Sequence, residues 1–189
     1  MKQAKTLTDA EFKRVIAVIR AGRHAKRNEL AFMLSFYAGL RVCEIAALNH
    51  SDIFDANGVV RRIILLAAEQ TKGSDSRTIV INDKLARCLV SHRLNRTATC
   101  TYERPLIRSQ KGSCFSANSL CQLFLRIYAD AGVDGASSHS GRRTFITALA
   151  HKGVSAKVLM TLAGHKHLST TQRYIDVNDE LLQSAVELV

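Results

Sequence analysis

From residue 8 onward the chain is cut into short amphipathic pieces, several opened by a capping residue and several closed by glycine, a rhythm that specifies packed helices. Thr8-Asp9-Ala10-Glu11 reads as a capping box, and Phe12, Val15, Ile16 and Ile19 recur at helical spacing until Gly22 supplies a stop. A second helix is predicted over about 26–38, ended by Gly39, and a third over 42–48, which sets Arg41 at a helix–helix junction. The rhythm breaks once. Residues 59–67 are β-branched and apolar, 71–76 are turn-rich and 77–81 are again strand-like, so a β-hairpin is predicted with Lys72 near its tip. Asn82 or Asp83 can cap a helix to about 94; a polar loop with the only proline, Pro105, follows; Ser116 can cap a helix to about 131. Further helices are predicted over 140–151, 155–163, 169–175 and 179–188, separated by Gly153, Gly164 and residues 176–178. The expected class is mainly α with a small antiparallel β-sheet, an α+β fold.

A chain of 189 residues, 47% of them hydrophobic, is long enough to bury a core, and residues 1–189 read as one domain. Lysine and arginine number 27 against 16 acidic residues, a formal charge of +11, which favours a polyanionic partner and makes nucleic acid the first suspect. The basic residues are scattered, which disfavours a membrane surface. No stretch approaches the ~20 apolar residues of a membrane span, and the start lacks the apolar run of a signal peptide, so a cytoplasmic protein is expected, at the nucleoid if bacterial. The five cysteines include no C-x-x-C pair, and His165-x-His167 has no accompanying carboxylate or cysteine cluster; neither a disulfide framework nor a metal site is expected.

His139-Ser140-Gly141-Arg142 places an imidazole and a guanidinium three apart at a helix start, where they share a face with N–H groups that attract anions. H-x-x-R also recurs by chance, so its context decides. Leu162-Ala163-Gly164-His165 adds a histidine just past a helix stop, and Tyr174 follows nine residues later behind Ser169-Thr170-Thr171-Gln172-Arg173. With Gly39-Leu40-Arg41-Val42-Cys43-Glu44 these segments resemble, in order, the signatures of the tyrosine recombinase (phage integrase) family. The first resembles G-L-R-x-x-E, and the others H-x-x-R, L-x-G-H and S-T-T-x-x-Y. Lys72 in Thr71-Lys72-Gly73 matches the lysine of the family's β-hairpin. The resemblance covers about 7–177. It departs where Arg143 and Gly141 stand, positions often occupied by histidine and leucine.

The resemblance implies a tyrosine recombinase catalytic-domain-like fold and a site-specific recombinase. Such an enzyme cleaves and rejoins double-stranded DNA through a 3′-phosphotyrosine intermediate, as a dimer or tetramer on DNA, with no metal, ATP or other cofactor. Arg41 and Arg142 would hold the scissile phosphate, because guanidinium forks match its oxygens and stay charged. His139 and His165 would add hydrogen bonds or move a proton, Lys72 would protonate the leaving 5′ oxygen, and Tyr174 would be the nucleophile. Lys111 beside Gly112 is an alternative to Lys72 as a DNA contact. Glu44, three residues beyond Arg41, would orient a guanidinium or a histidine. At about 100° per residue Arg142 lies nearer His139 than Arg143 does, so Arg142 is assigned to the phosphate. Arg143 is left to the DNA backbone or a buried acid, and Arg77, Lys166 and Arg173 to DNA contacts. No separate N-terminal DNA-clamping domain is expected. The apolar stripe in 178–189 packs on its own core or is exchanged between protomers. A type IB topoisomerase-like strand transferase and an inactive DNA-binding regulator are the rival functions.

Overall fold

The computed structural model describes residues 4–71, 75–94, 104–110, 112–175 and 186–187. Helix α1 (Asp9–Ala21) opens with the expected capping box: the Thr8 hydroxyl accepts the Glu11 N–H at 3.3 Å and the Glu11 carboxylate accepts the Thr8 N–H at 3.0 Å. α2 (Ala25–Ala38) ends at Gly39, and α3 (Val42–Ala47) starts immediately after Arg41. α2 is the centre of the molecule. It lies against α1, α5 (Asp83–Leu94) and α7 (Ser140–His151), and Leu30, Ala31, Phe32 and Leu34 on it are buried. Contact with so many neighbours explains why this helix is apolar on most of its circumference. Gly141 allows α7 its close approach, since a Cβ there would lie 2.8 Å from Ser35 Oγ. The core continues into α6 (Ala117–Asp130), capped by the Ser116 hydroxyl as predicted, where Phe124 and Tyr128 meet Phe32.

Strands β1 (Ile63–Leu66) and β2 (Arg77–Val80) pair antiparallel, with Ile64 opposite Ile79 and Leu66 opposite Arg77. Period-2 alternation turns Ile64, Leu66, Arg77 and Ile79 inward and leaves Ile63, Leu65 and Val80 exposed. The first strand is shorter than the predicted 59–67, because Val60 bridges to Phe54 and the Arg61 N–H bonds to the Ile53 carbonyl instead of continuing the ladder. Those partners end α4 (His50–Ile53), a helix of four residues that is too short to leave a periodic signal. The predicted hairpin tip at Lys72, the alternative Lys111 and most of the predicted helix over 179–188 lie outside the described residues.

The last described helices are α8 (Ala156–Ala163), capped by Ser155, and α9 (Leu168–Gln172). α9 stops earlier than the predicted 175. Its final turn tightens into i to i−3 bonds, Tyr174 N–H to Thr171 carbonyl at 3.0 Å and Ile175 N–H to Gln172 carbonyl at 3.1 Å. Tyr174 therefore sits on a turn just beyond a helix. No helix among the described residues is long and apolar enough to cross a membrane.

Candidate functional site

The C-terminus of α8 is the hub of the site. Helix ends leave carbonyls without an intrahelical partner and carry partial negative charge, so they attract cations. Three guanidiniums converge on this one. Arg142 of α7 donates to the Ala163 carbonyl at 2.5 Å and to the Gly39 carbonyl at 2.7 Å. Arg77 of β2 donates to the same Ala163 carbonyl at 2.6 Å, and Arg41, ahead of α3, donates to the Gly164 carbonyl at 3.3 Å. Gly164 adopts φ +60°, which turns the chain out of α8, and a Cβ there would lie 2.6 Å from Arg77 Cδ. Both the turn and the packing beneath it thus require glycine in the Leu162-Ala163-Gly164-His165 segment.

Glu44 lies under this cluster with 0% exposure. One carboxylate oxygen accepts Arg41 Nη1 at 2.8 Å, the other accepts the Arg41 backbone N–H at 2.8 Å, and Arg77 Nη1 stands 3.7 Å from the first. A fully buried carboxylate persists only with such partners. It neutralises one of three positive charges, so the three arginines less one glutamate leave a surplus of two. Burial, with repulsion from Arg41 and Arg77, pulls the Arg142 pKa down to about 9, which still leaves it charged at neutral pH. Arg77, only 8% exposed, has its pKa lowered mainly by burial.

His165 follows Gly164. Its Nδ1 shares a hydrogen with the Thr171 hydroxyl at 2.9 Å, and its ring stacks on Tyr174 at 5.9 Å between centroids. Burial first, and then the fields of Arg142, Arg41 and Arg77, push its pKa down to about 4, so the imidazole is neutral at pH 7. Tyr174 is half-buried, with the Arg143 guanidinium 5.6 Å over its ring. It shares a cleft of about 670 Å³ with His139, Arg142, Arg143, Thr170 and Arg173. A second cleft of about 500 Å³ contains Arg41, Arg77, His165, Lys166 and Thr170. Thr170 borders both, so the two clefts adjoin across the arginine cluster. Tyr128, by contrast, is 1% exposed in the core.

The structure brings Arg41, Arg142, His139, His165 and Tyr174 to adjoining clefts, with Glu44 beneath Arg41. Arg142 and Arg143 part as helical geometry predicts: one joins the buried cluster and the other crosses Tyr174. Arg77, expected as a DNA contact, is instead turned inward, because it occupies the buried face of β2 with Ile79. Lys166 pairs with Asp75 at 2.6 Å, and Arg173 is exposed on the rim. Lys72 lies outside the described residues, but Thr71 and Asp75, on either side of residues 72–74, line the Arg41 cleft. Sequence reasoning missed Thr171, which is fully buried and fixes His165; its only signal was its place inside the Ser169 to Tyr174 segment. Among the described residues, no group of three or more His, Cys, Asp or Glu side chains is placed to hold a metal.

The profile of the phage integrase family matches residues 5–180. The chain belongs to the phage integrase family. It is similar to the tyrosine recombinase XerA of Thermococcus kodakarensis, 32% identical over 183 residues that cover 97% of this chain and 62% of that protein. XerD of Rickettsia bellii is 28% identical over 170 residues, 86% of this chain and 55% of that one. The chain thus spans about three-fifths of the length of such relatives. Among solved structures, XerA recombinase superposes with a TM-score of 0.76 at 22% identity, over 100% of this chain and 64% of that one. XerH bound to difH superposes with a TM-score of 0.69 at 22% identity, over 98% and 54%. These superpositions establish a tyrosine recombinase catalytic-domain fold.

Proposed function

We propose that this chain carries the strand-transfer site of a site-specific recombinase acting on double-stranded DNA. The observation that carries the reading is the surplus of positive charge at the buried Arg77 and Arg142 and the half-buried Arg41, which borders a cleft containing a half-buried tyrosine of the same chain. A phosphodiester resists attack because its charge repels the nucleophile, and preorganised guanidiniums offset the further charge of the transition state. Arg41 and Arg142 hold the non-bridging oxygens, and the protein carbonyls fix their orientation before DNA arrives.

The Tyr174 phenolate oxygen forms a bond to phosphorus as the bond from phosphorus to the 5′ oxygen breaks. The phenol loses a proton and the leaving 5′ oxygen gains one. A neutral His165 serves as a hydrogen-bonding group for the phosphate or the phenol and adds no third cation at the phosphate. His139, at the start of α7 in the Tyr174 cleft, supplies a further contact. Lys72 is the proton donor to the leaving oxygen, a role supported by the flanking Thr71 and Asp75 at the Arg41 cleft. The 3′-phosphotyrosine ester conserves the energy of the broken bond, so a 5′ hydroxyl from another strand reverses the attack without ATP or metal. Exchange of partners within a dimer or tetramer on DNA completes recombination. Relatives named tyrosine recombinases favour this reading over a type IB topoisomerase or an inactive regulator.

A pool of nicked duplexes with randomised sequence, incubated with the protein in EDTA, tests this. Denaturing gels are expected to show a covalent protein–DNA adduct for the wild type and none for Tyr174→Phe. Equal adduct from both proteins rules the tyrosine out.

A further inference from the structure

The strand-transfer chemistry leaves Arg77 without a part, yet it touches several pieces of the machinery. Its Nη1 donates to the Ala163 carbonyl at 2.6 Å, the oxygen that also receives Arg142. The same nitrogen stands 3.7 Å from the Glu44 oxygen that receives Arg41. Its aliphatic stem packs under Gly164, whose carbonyl receives Arg41 and whose next residue is His165. One guanidinium therefore touches the anchors of Arg41 and Arg142 and supports the turn that carries His165.

This arrangement has a cost. Arg77 Nε and Nη2 are buried without a hydrogen-bond partner among the described residues. Burying a guanidinium with donors unmatched is unfavourable, and an apolar side chain of similar shape often serves a fold equally well or better. A purely structural role is therefore a poor account of an arginine at this position.

We propose that Arg77 is a positioning residue that braces the Ala163–Gly164 turn and Glu44, fixing the relative geometry of Arg41, Arg142 and His165. This rests on the strand-transfer reading. Arg77 reaches the reaction only through other groups and contacts no DNA. Arg77→Met keeps the length of the stem and removes the fork; Arg77→Lys keeps the charge and removes the fork.

Expected for Arg77→Met is a melting temperature equal to or above that of the wild type, DNA affinity within about twofold with an unchanged salt slope, and adduct formation slowed about 100-fold, the effect of a small misplacement of reacting groups. Arg77→Lys is expected to lose about 10-fold, because charge without the fork restores only part of the geometry. If Arg77→Met does not fold, Arg77→Lys alone decides. Wild-type adduct rates in the folded variant overturn the proposal, as does weaker DNA binding with a salt slope smaller by about one, the mark of a lost phosphate contact. A DNA-free readout separates this from failure of the strand-transfer reading. The Arg142 guanidinium protons are expected to exchange with solvent about tenfold faster in the variant, reporting local loosening. Unchanged exchange overturns the brace even if the wild type never forms an adduct.

Discussion

The buried floor of the site and its open rim are built on opposite principles. The floor holds Glu44, Arg77 and Arg142 at 0%, 8% and 5% exposure, each bonded or paired across elements distant in sequence. The rim holds His139 and Arg173 exposed and Tyr174 and Arg143 half-buried, with Tyr174 held by ring contacts and a turn bond. On the proposed function, charge that must be preorganised is anchored to the fold, whereas a nucleophile that must meet a duplex stays accessible. Floor substitutions should accordingly alter rate, and stability wherever they leave buried charge unpaired, whereas rim substitutions other than at Tyr174 should alter chiefly binding.

The largest expected break comes from Glu44→Ala. Removing the carboxylate that Arg41 and Arg77 share leaves buried positive charge uncompensated, at about 3–5 kcal/mol of unfolding free energy, read by urea titration. A loss below about 1 kcal/mol would show that the floor is not held electrostatically. Next comes Arg142→Lys against Arg143→Lys. The first removes two carbonyl-anchored donors and should slow adduct formation by about 10²–10³-fold, while the second, at the rim, should stay within several-fold. Equal losses would erase the distinction between floor and rim.

A smaller effect follows from His165. Its folded pKa, about 4, lies below its ordinary value of 6.5, so the unfolded chain takes up this proton first. The contribution of the neutral imidazole to stability is complete above pH 6.5 and is lost as pH falls towards 4. Adduct rates should be flat in this group from pH 8 to about 5.5 and fall below about 5, with the imidazole titrating near 4 by NMR. A midpoint near 6.5 would contradict both the burial of His165 and its place in the arginine field. The smallest change is expected from Arg173→Ala at the rim: adduct rates at saturating DNA unchanged, and a salt slope of binding reduced by about one.

Most helices were legible because caps, glycine stops and periodicity are local. The Thr8 box, the Gly39 stop and the Ser116 cap each rest on residues within one turn. The four-residue α4 was not, and α9 ended early because its last turn tightened at Tyr174. At the candidate site, motif order singled out Arg41, His139, Arg142, His165 and Tyr174, which the fold brings to adjoining clefts. The same motifs say nothing of what anchors them, since the Ala163 and Gly164 carbonyls carry no side-chain identity. Arg77 was misplaced for a more instructive reason. A basic residue beside a turn is assigned to solvent by charge, although alternation with Ile79 already put it on the buried face. Periodicity was the better guide there.

The convergence of Arg41, Arg142 and Tyr174 on one phosphorus is tested most directly by a crystal structure with vanadate and a nicked duplex recovered from the randomised pool. The expected result is a vanadium atom bonded to the Tyr174 oxygen, with both guanidiniums about 2.7–3.2 Å from its non-bridging oxygens. Vanadium bound to any other nucleophile, or out of reach of either arginine, would contradict the account.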